Sequence, residues 1–109
     1  EAIGQSFGIS TLFVWQPVPT YGYDLSFHGF SKDLASFGGH GRSHYGYSLF
    51  ADRLPDLQLG DEFLWLADMQ EGIRENLYVD NVHYTSNFSD EISEKITEHL
   101  LKTTPRGNC

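Results

Sequence analysis

Apolar side chains fall along this chain in two dense runs and one evenly spaced series. Thr11 to Val18 reads TLFVWQPV, almost wholly apolar or β-branched, and is closed by Pro17 and Pro19. Unbroken runs of this kind fit strands buried on both faces, the setting of a parallel sheet. Phe63 to Met69, FLWLADM, is a second such run. Between them, Tyr21 to Arg42 mixes Gly, Ser, His and aromatic residues without a period and reads as a loop or surface excursion. Loops of this kind tend to carry function or mobility. Ser43 to Leu54 can form a helix with Tyr47, Phe50, Ala51 and Leu54 on one face, stopped by Pro55 and then Gly60. A strand, a crossover containing a helix, and another buried strand make a βαβ unit, so the fold class is α/β with parallel strands. The spaced series comes last. Phe88, Ile92, Ile96 and Leu100 recur along one face, with Asp90, Glu91, Glu94 and Lys95 opposite, which predicts a C-terminal amphipathic helix capped by Thr85 or Ser86.

Composition narrows the partners. The 109 residues, 39% hydrophobic and 15% aromatic, supply one domain's worth of chain and apolar material for a core. Fifteen acidic against seven basic side chains give a net charge of -8, which repels phosphate backbones and anionic headgroups, so nucleic acid is not an expected partner. Cys109 is the sole cysteine, at the end of a polar tail over 103–109, so neither an internal disulfide nor a cysteine metal cluster is expected. No apolar run has membrane length, and no signal-like segment is visible. Glu1 stands where a start methionine would, and the chain runs almost at once into a strand; it reads as part of something longer. The compartment stays open.

Candidate chemistry sits between the second half of the chain and the last helix. In LYVDNVHYT, residues 77–85, Asp80 and His83 lie in the turn from an extended segment (Leu77 to Val79) into the helix. Three residues apart in a turn, the two side chains reach one side. The carboxylate can then accept the imidazole Nδ1 proton while Nε2 faces outward, which is the orienter and general-base half of a catalytic triad. The same spacing also fits an Asp that caps the turn and a His that bonds locally. GQSFG, Gly4 to Gly8, matches G-x-S-x-G, but a nucleophile elbow needs a strand before the Ser and a helix after it, and Ser6 has the reverse. Glu1 to Ser10 reads instead as a helix end and a glycine loop into the strand. His40 and His44 have the i,i+4 spacing of a shared metal ion, yet Gly38, Gly39 and Gly41 argue against a helix at His40, and no metal site is expected. No G-K-[ST] follows these glycines, so they are no phosphate cradle. His28 and His99 read as ordinary surface residues, and Asn87-Phe88-Ser89 is formally a glycosylation sequon at the start of the last helix.

YVDNVHYT followed by an amphipathic helix resembles the final sequence block of the SGNH (GDSL-type) hydrolases, a family of esterases and lipases. LFVWQPVP and FLWLADMQEG are similar to later strands of that family's sheet. The resemblance covers about residues 7–102, and only the Asp80 and His83 block is a specific motif. It implies a partial three-layer α/β/α sandwich of the flavodoxin-like SGNH type, with residues 1–102 as its C-terminal part. It also implies Asp80 as triad acid, His83 as base, and no cofactor. The family's Gly-Asp-Ser nucleophile block and its Gly-x-Asn-Asp oxyanion block are absent. Phe88 stands where many members carry a small residue. The expectation is therefore a serine ester hydrolase acting on a small-molecule, carbohydrate or lipid ester, its serine upstream of this chain, and the 109 residues inactive alone.

Ligands of open parallel sheets bind beyond the carboxyl ends of the strands, which makes Trp15, Gln16, Tyr21 and Tyr23 candidate pocket residues. A competing expectation is a non-catalytic domain that binds a ligand or partner through the aromatic loop 21–47, with Tyr21, Tyr23, Phe27, Phe30, Phe37, Tyr45 and Tyr47. Parallel strands without neighbours should also leave an apolar sheet edge open to self-association.

Overall fold

The computed structural model describes residues 2–103. The chain forms α1 (Ala2–Ser6), β1 (Phe13–Trp15), α2 (Ser43–Arg53), β2 (Phe63–Trp65) and α3 (Ser86–Thr103). It is a small α/β protein whose two strands pair in parallel, Phe13 opposite Phe63, Val14 opposite Leu64 and Trp15 opposite Trp65. This register puts like residues on like faces. Val14 and Leu64 face the core under α3. Trp15, Phe63 and Trp65 face the other way, where Phe50 of α2 stacks on Trp15 at a centroid distance of 4.1 Å. Helices thus pack on both faces of the pair.

The strands are shorter than their apolar runs. β1 stops at Trp15 because Pro17 and Pro19 have no N–H to give a ladder. β2 stops at Trp65 because the chain then turns, with Met69 N–H on the Leu66 carbonyl at 3.1 Å and Glu71 N–H on that of Asp68 at 3.0 Å. Nor are the strands buried on both faces. Phe13 is exposed, and Trp15, Phe63, Leu64 and Trp65 are half-buried. Beyond β2, Leu77 and Tyr78 are extended and buried, and Tyr78 forms an antiparallel bridge with Tyr84.

The glycine-rich excursion is more ordered than its composition suggests. Short 3-10 turns occupy Leu25–Phe27 and Leu34–Arg42. Asp24 and Asp33 start them by accepting the N–H groups of Ser26 and Ser36 at 2.9 and 3.0 Å. Gly38, at φ 56°, takes the kink between two successive turns, so the glycines bend this segment without abolishing its helical turns. At the other end, α1 closes in a Schellman motif. Ile9 N–H bonds the Gly4 carbonyl at 2.7 Å, Gly8 N–H bonds that of Gln5 at 3.2 Å, and Gly8 sits at φ 67°.

The core is Leu66, Leu77, Tyr78, Phe88 and Ile92, with Val14, Tyr23, Met69, Ile73, Tyr84 and Ile96 around it. Thr85 caps α3, its hydroxyl accepting Phe88 N–H at 3.2 Å. The apolar stripe of α3 is spent at its N-terminal half: Phe88 is 1% exposed and Ile92 9%, but Leu100 is 43% exposed. Ile92→Ala should therefore cost about 2–3 kcal/mol and Leu100→Ala about 1 kcal/mol or less, read from urea midpoints. Equal costs would show that the stripe is covered along its whole length. α3 takes in Thr103, one residue beyond the expected start of the polar tail; the rest of that tail, with Cys109, lies outside the described residues. Among the described residues no helix is long and apolar enough to cross a membrane.

Candidate active site

The turn carrying Asp80 and His83 is closed from both sides. Val79 N–H donates to the His83 carbonyl at 2.8 Å, and Thr85 N–H to that of Leu77 at 2.9 Å, leaving Asp80, Asn81 and Val82 as a three-residue loop. Asp80 uses its two oxygens differently. Oδ1 accepts the main-chain N–H groups of Val82 and His83 at 2.8 and 2.7 Å, which gives the loop its shape. Oδ2 accepts from His83 Nδ1 at 2.7 Å. The turn-capping and imidazole-orienting roles are thus filled by one carboxylate.

Those donors hold the charge on Asp80. The N–H of His83 first, then that of Val82, and then the imidazole lower its pKa to about 2. Any stability this contributes is present above the ordinary carboxylate range and is lost as pH falls through about 2. The bond to Oδ2 puts the imidazole proton on Nδ1, and no described residue bonds Nε2. The His83 side chain is 75% exposed.

His83 lines a pocket of about 380 Å³ with Val82, Tyr84, His40, Ser43 and the segment Gln16–Thr20. That segment lies just past the carboxyl end of β1. Its prolines break the ladder, and four of its carbonyls, those of Gln16, Pro17, Val18 and Thr20, accept side-chain donors. Tyr47 Oη donates to the Gln16 carbonyl at 2.8 Å and Tyr84 Oη to that of Pro17 at 2.5 Å. Gln70 Nε2 donates to the carbonyls of Val18 and Tyr21 at 2.6 and 2.7 Å, and His44 Nδ1 to that of Thr20 at 2.8 Å. Gln70 is itself fully buried and accepts from Tyr78 Oη at 2.6 Å. Burial raises the pKa of Tyr78, Tyr84 and Tyr47 above the ordinary phenol value, so all three stay neutral donors.

Of the four candidate pocket residues, Gln16 lines this pocket. Trp15 lies in the aromatic stack with Phe50 and Trp65. Tyr21 packs against Tyr47 and Trp65, and Tyr23 donates its hydroxyl to the Glu75 carbonyl at 2.7 Å and sits edge-on to Tyr78. Ser6 belongs to α1, which leads into the amino end of β1, and its hydroxyl donates to the Ala2 carbonyl at 3.0 Å. His83 shares a pocket with the segment just past the carboxyl end of the same strand, so the two lie near opposite ends of β1. His40 reaches the pocket while His44 is engaged with Thr20, and no described group of three His, Cys, Asp or Glu residues could hold a metal ion. His99 donates to the Asp61 carbonyl at 2.7 Å near the surface.

His28 is not a surface residue. It is 0% exposed, stacked on Tyr78 at 5.3 Å, with Phe37 edge-on. Burial above all, and then the charge of Lys32, push its pKa below that of a free imidazole, against the Asn81 carbonyl and Asp80, which favour the proton. Nothing in the polar surroundings of HGFSK marks this histidine as internal. Gln70 is equally silent in sequence, whereas Tyr84, next to His83, could have been suspected. No family model, no curated protein and no solved structure matches the chain.

Proposed function

We propose that this chain carries the acid and base of a serine-type ester hydrolase. Within that class the SGNH (GDSL-type) family fits best, with residues 1–102 as the C-terminal part of its domain. The observation that carries the reading is the 2.7 Å bond from His83 Nδ1 to Asp80 Oδ2 beside an open pocket, with Nε2 left without a partner among the described residues. A serine supplied from outside these 109 residues attacks the ester carbonyl while His83 Nε2 takes its proton. His83 then returns that proton to the leaving alcohol, and water releases the acid by the same steps. Asp80 holds the ring and stabilises the imidazolium that forms. Small-molecule, carbohydrate and lipid esters all fall within this chemistry, and it runs on side chains alone.

The finer fold proposed is the three-layer α/β/α sandwich, extended by further parallel strands. Helices on both faces of the strand pair, exposed Phe13, Ile9 and Phe7 near β1, and a Cα radius of gyration of 16.2 Å against about 13 Å for a compact domain of this length support it. The same features favour self-association of the chain through its open sheet edge.

Asp80→Asn tests the reading in the ester-hydrolysing protein that contains this chain. The amide keeps an oxygen for the loop N–H groups but no longer enforces the Nδ1–H tautomer. Turnover of p-nitrophenyl acetate should drop by roughly 10²- to 10⁴-fold. Activity within about twofold of the parent removes Asp80 from the mechanism.

A further inference from the structure

The imidazole of His28 is fixed in one tautomer. Its Nδ1 accepts the main-chain N–H groups of Phe30 and Ser31 at 3.0 and 2.9 Å, so that nitrogen carries no proton. The proton is on Nε2, which faces the Asn81 carbonyl at 3.3 Å. Ser31, also buried, donates its hydroxyl to Asn81 Oδ1 at 2.7 Å. The main-chain and side-chain oxygens of Asn81, the middle residue of the Asp80–Val82 loop, are therefore both held by buried residues of one turn, His28 and Ser31.

We propose that His28 and Ser31 are positioning residues for the Asp80–His83 pair, acting through Asn81. The catalytic consequence rests on the ester-hydrolase reading; the mechanical one does not. The exposed His83 ring has little packing to locate it. The bonds from Asp80 Oδ1 run within the loop, so they fix its shape and move with it. The bonds to Asn81 tie the loop to the body of the protein.

The anchoring turn is itself well held. Gly29 N–H donates to Asn76 Oδ1 at 3.0 Å, and Asn76 Nδ2 donates to the Tyr78 carbonyl at 2.9 Å. A Cβ on Gly29 would lie 3.0 Å from Asn76 Nδ2, so the two segments touch there. Lys32 Nζ closes the turn on the carbonyls of Ser26 and His28. The aromatic rings of Tyr78 and Phe37 fix the plane of the imidazole. A proton added at Nδ1 would oppose two donors, and the charged groups facing the ring are Lys32, which disfavours the imidazolium, and Asp80, which favours it. The phenols of Tyr23 and Tyr78 beside it stay neutral.

The link can be cut from both sides. In Ser31→Ala and Asn81→Ala the side-chain bond is lost. In His28→Asn the amide oxygen can still accept near the Nδ1 position, but no group reaches the Asn81 carbonyl. Hydrogen exchange of the Val82 and His83 amides, followed by NMR in this chain, should accelerate about tenfold or more, with Leu66 and Ile92 amides unchanged. In the ester-hydrolysing protein kcat should fall about tenfold with KM within about twofold, since a displaced base costs rate rather than binding. Ser31→Thr, which keeps the hydroxyl, should restore both. Exchange at Val82 and His83 that rises no more than at Leu66, or an unchanged kcat in an active enzyme, overturns the proposal. If His28→Asn fails to fold, Asn81→Ala decides, because it removes the bond from the exposed end. An inactive parent enzyme would end the ester-hydrolase reading, and the exchange data would still decide the mechanical claim.

Discussion

On the proposed ester-hydrolase reading, replacing His83 with alanine in the protein that contains this chain should lower kcat for ester hydrolysis by roughly 10³- to 10⁶-fold, the loss typical when the base of a serine, histidine and acid triad is removed. The fold should hardly notice. The His83 side chain is 75% exposed, and the loop bonds to Asp80 Oδ1 come from main-chain N–H groups that alanine retains. Stability should stay within about 0.5 kcal/mol of the parent. KM should also change little, because Gln16, Pro17, Val18 and Tyr84 still form the pocket walls. The measurement is steady-state hydrolysis of p-nitrophenyl acetate, with circular dichroism confirming the unchanged fold. Retention of more than about a tenth of the parent kcat would show that His83 is not the base.

The contrast between what the chain's pattern revealed and what it hid has a physical source. Periodicity located α2 and α3 closely, because an apolar stripe recurs at a fixed angle around a helix, whether it is half-buried as in α2 or buried as at Phe88 and Ile92 of α3. It overran both strands. Apolar residues continue past Trp15 and Trp65, but the ladder ends where prolines remove donors and where Leu66–Gln70 turns, and neither is an apolar signal. The Asp80 and His83 pair was legible because both partners lie within one turn of chain. The groups that locate that turn were not. His28 and Ser31 come from a segment about fifty residues away, and a polar residue that will be buried looks in sequence like one that will be solvated. The aromatic residues of 21–47 illustrate the same point. Phe37 is buried under His28 and Tyr23 leans on Tyr78, while Phe30 and Tyr45 remain exposed, and composition treats all four alike.

Gln70 carries the largest stability prediction. It is fully buried, its amide donates to the carbonyls of Val18 and Tyr21, and its oxygen accepts the hydroxyl of Tyr78. Truncation to alanine leaves the Tyr21 carbonyl and the Tyr78 phenol unpaired and the Val18 carbonyl with only the Tyr21 N–H at 3.3 Å, each lost bond worth about 1–3 kcal/mol, and adds a cavity. Gln70→Ala should therefore cost about 4–6 kcal/mol, a large share of the 5–15 kcal/mol that holds a typical domain together, and lower the melting temperature by roughly 20 °C. Tyr78→Phe removes a single bond of the same network and should cost only about 1–2 kcal/mol. The two variants together separate a network from a sum of contacts. If Gln70→Ala melts no lower than Tyr78→Phe, the carbonyls of Val18 and Tyr21 are satisfied some other way. The functional corollary follows from where those carbonyls lie. Val18 belongs to the pocket wall that faces His83, so on the proposed ester-hydrolase reading any Gln70 variant that still folds should show a raised KM while the Asp80 to His83 bond stays intact.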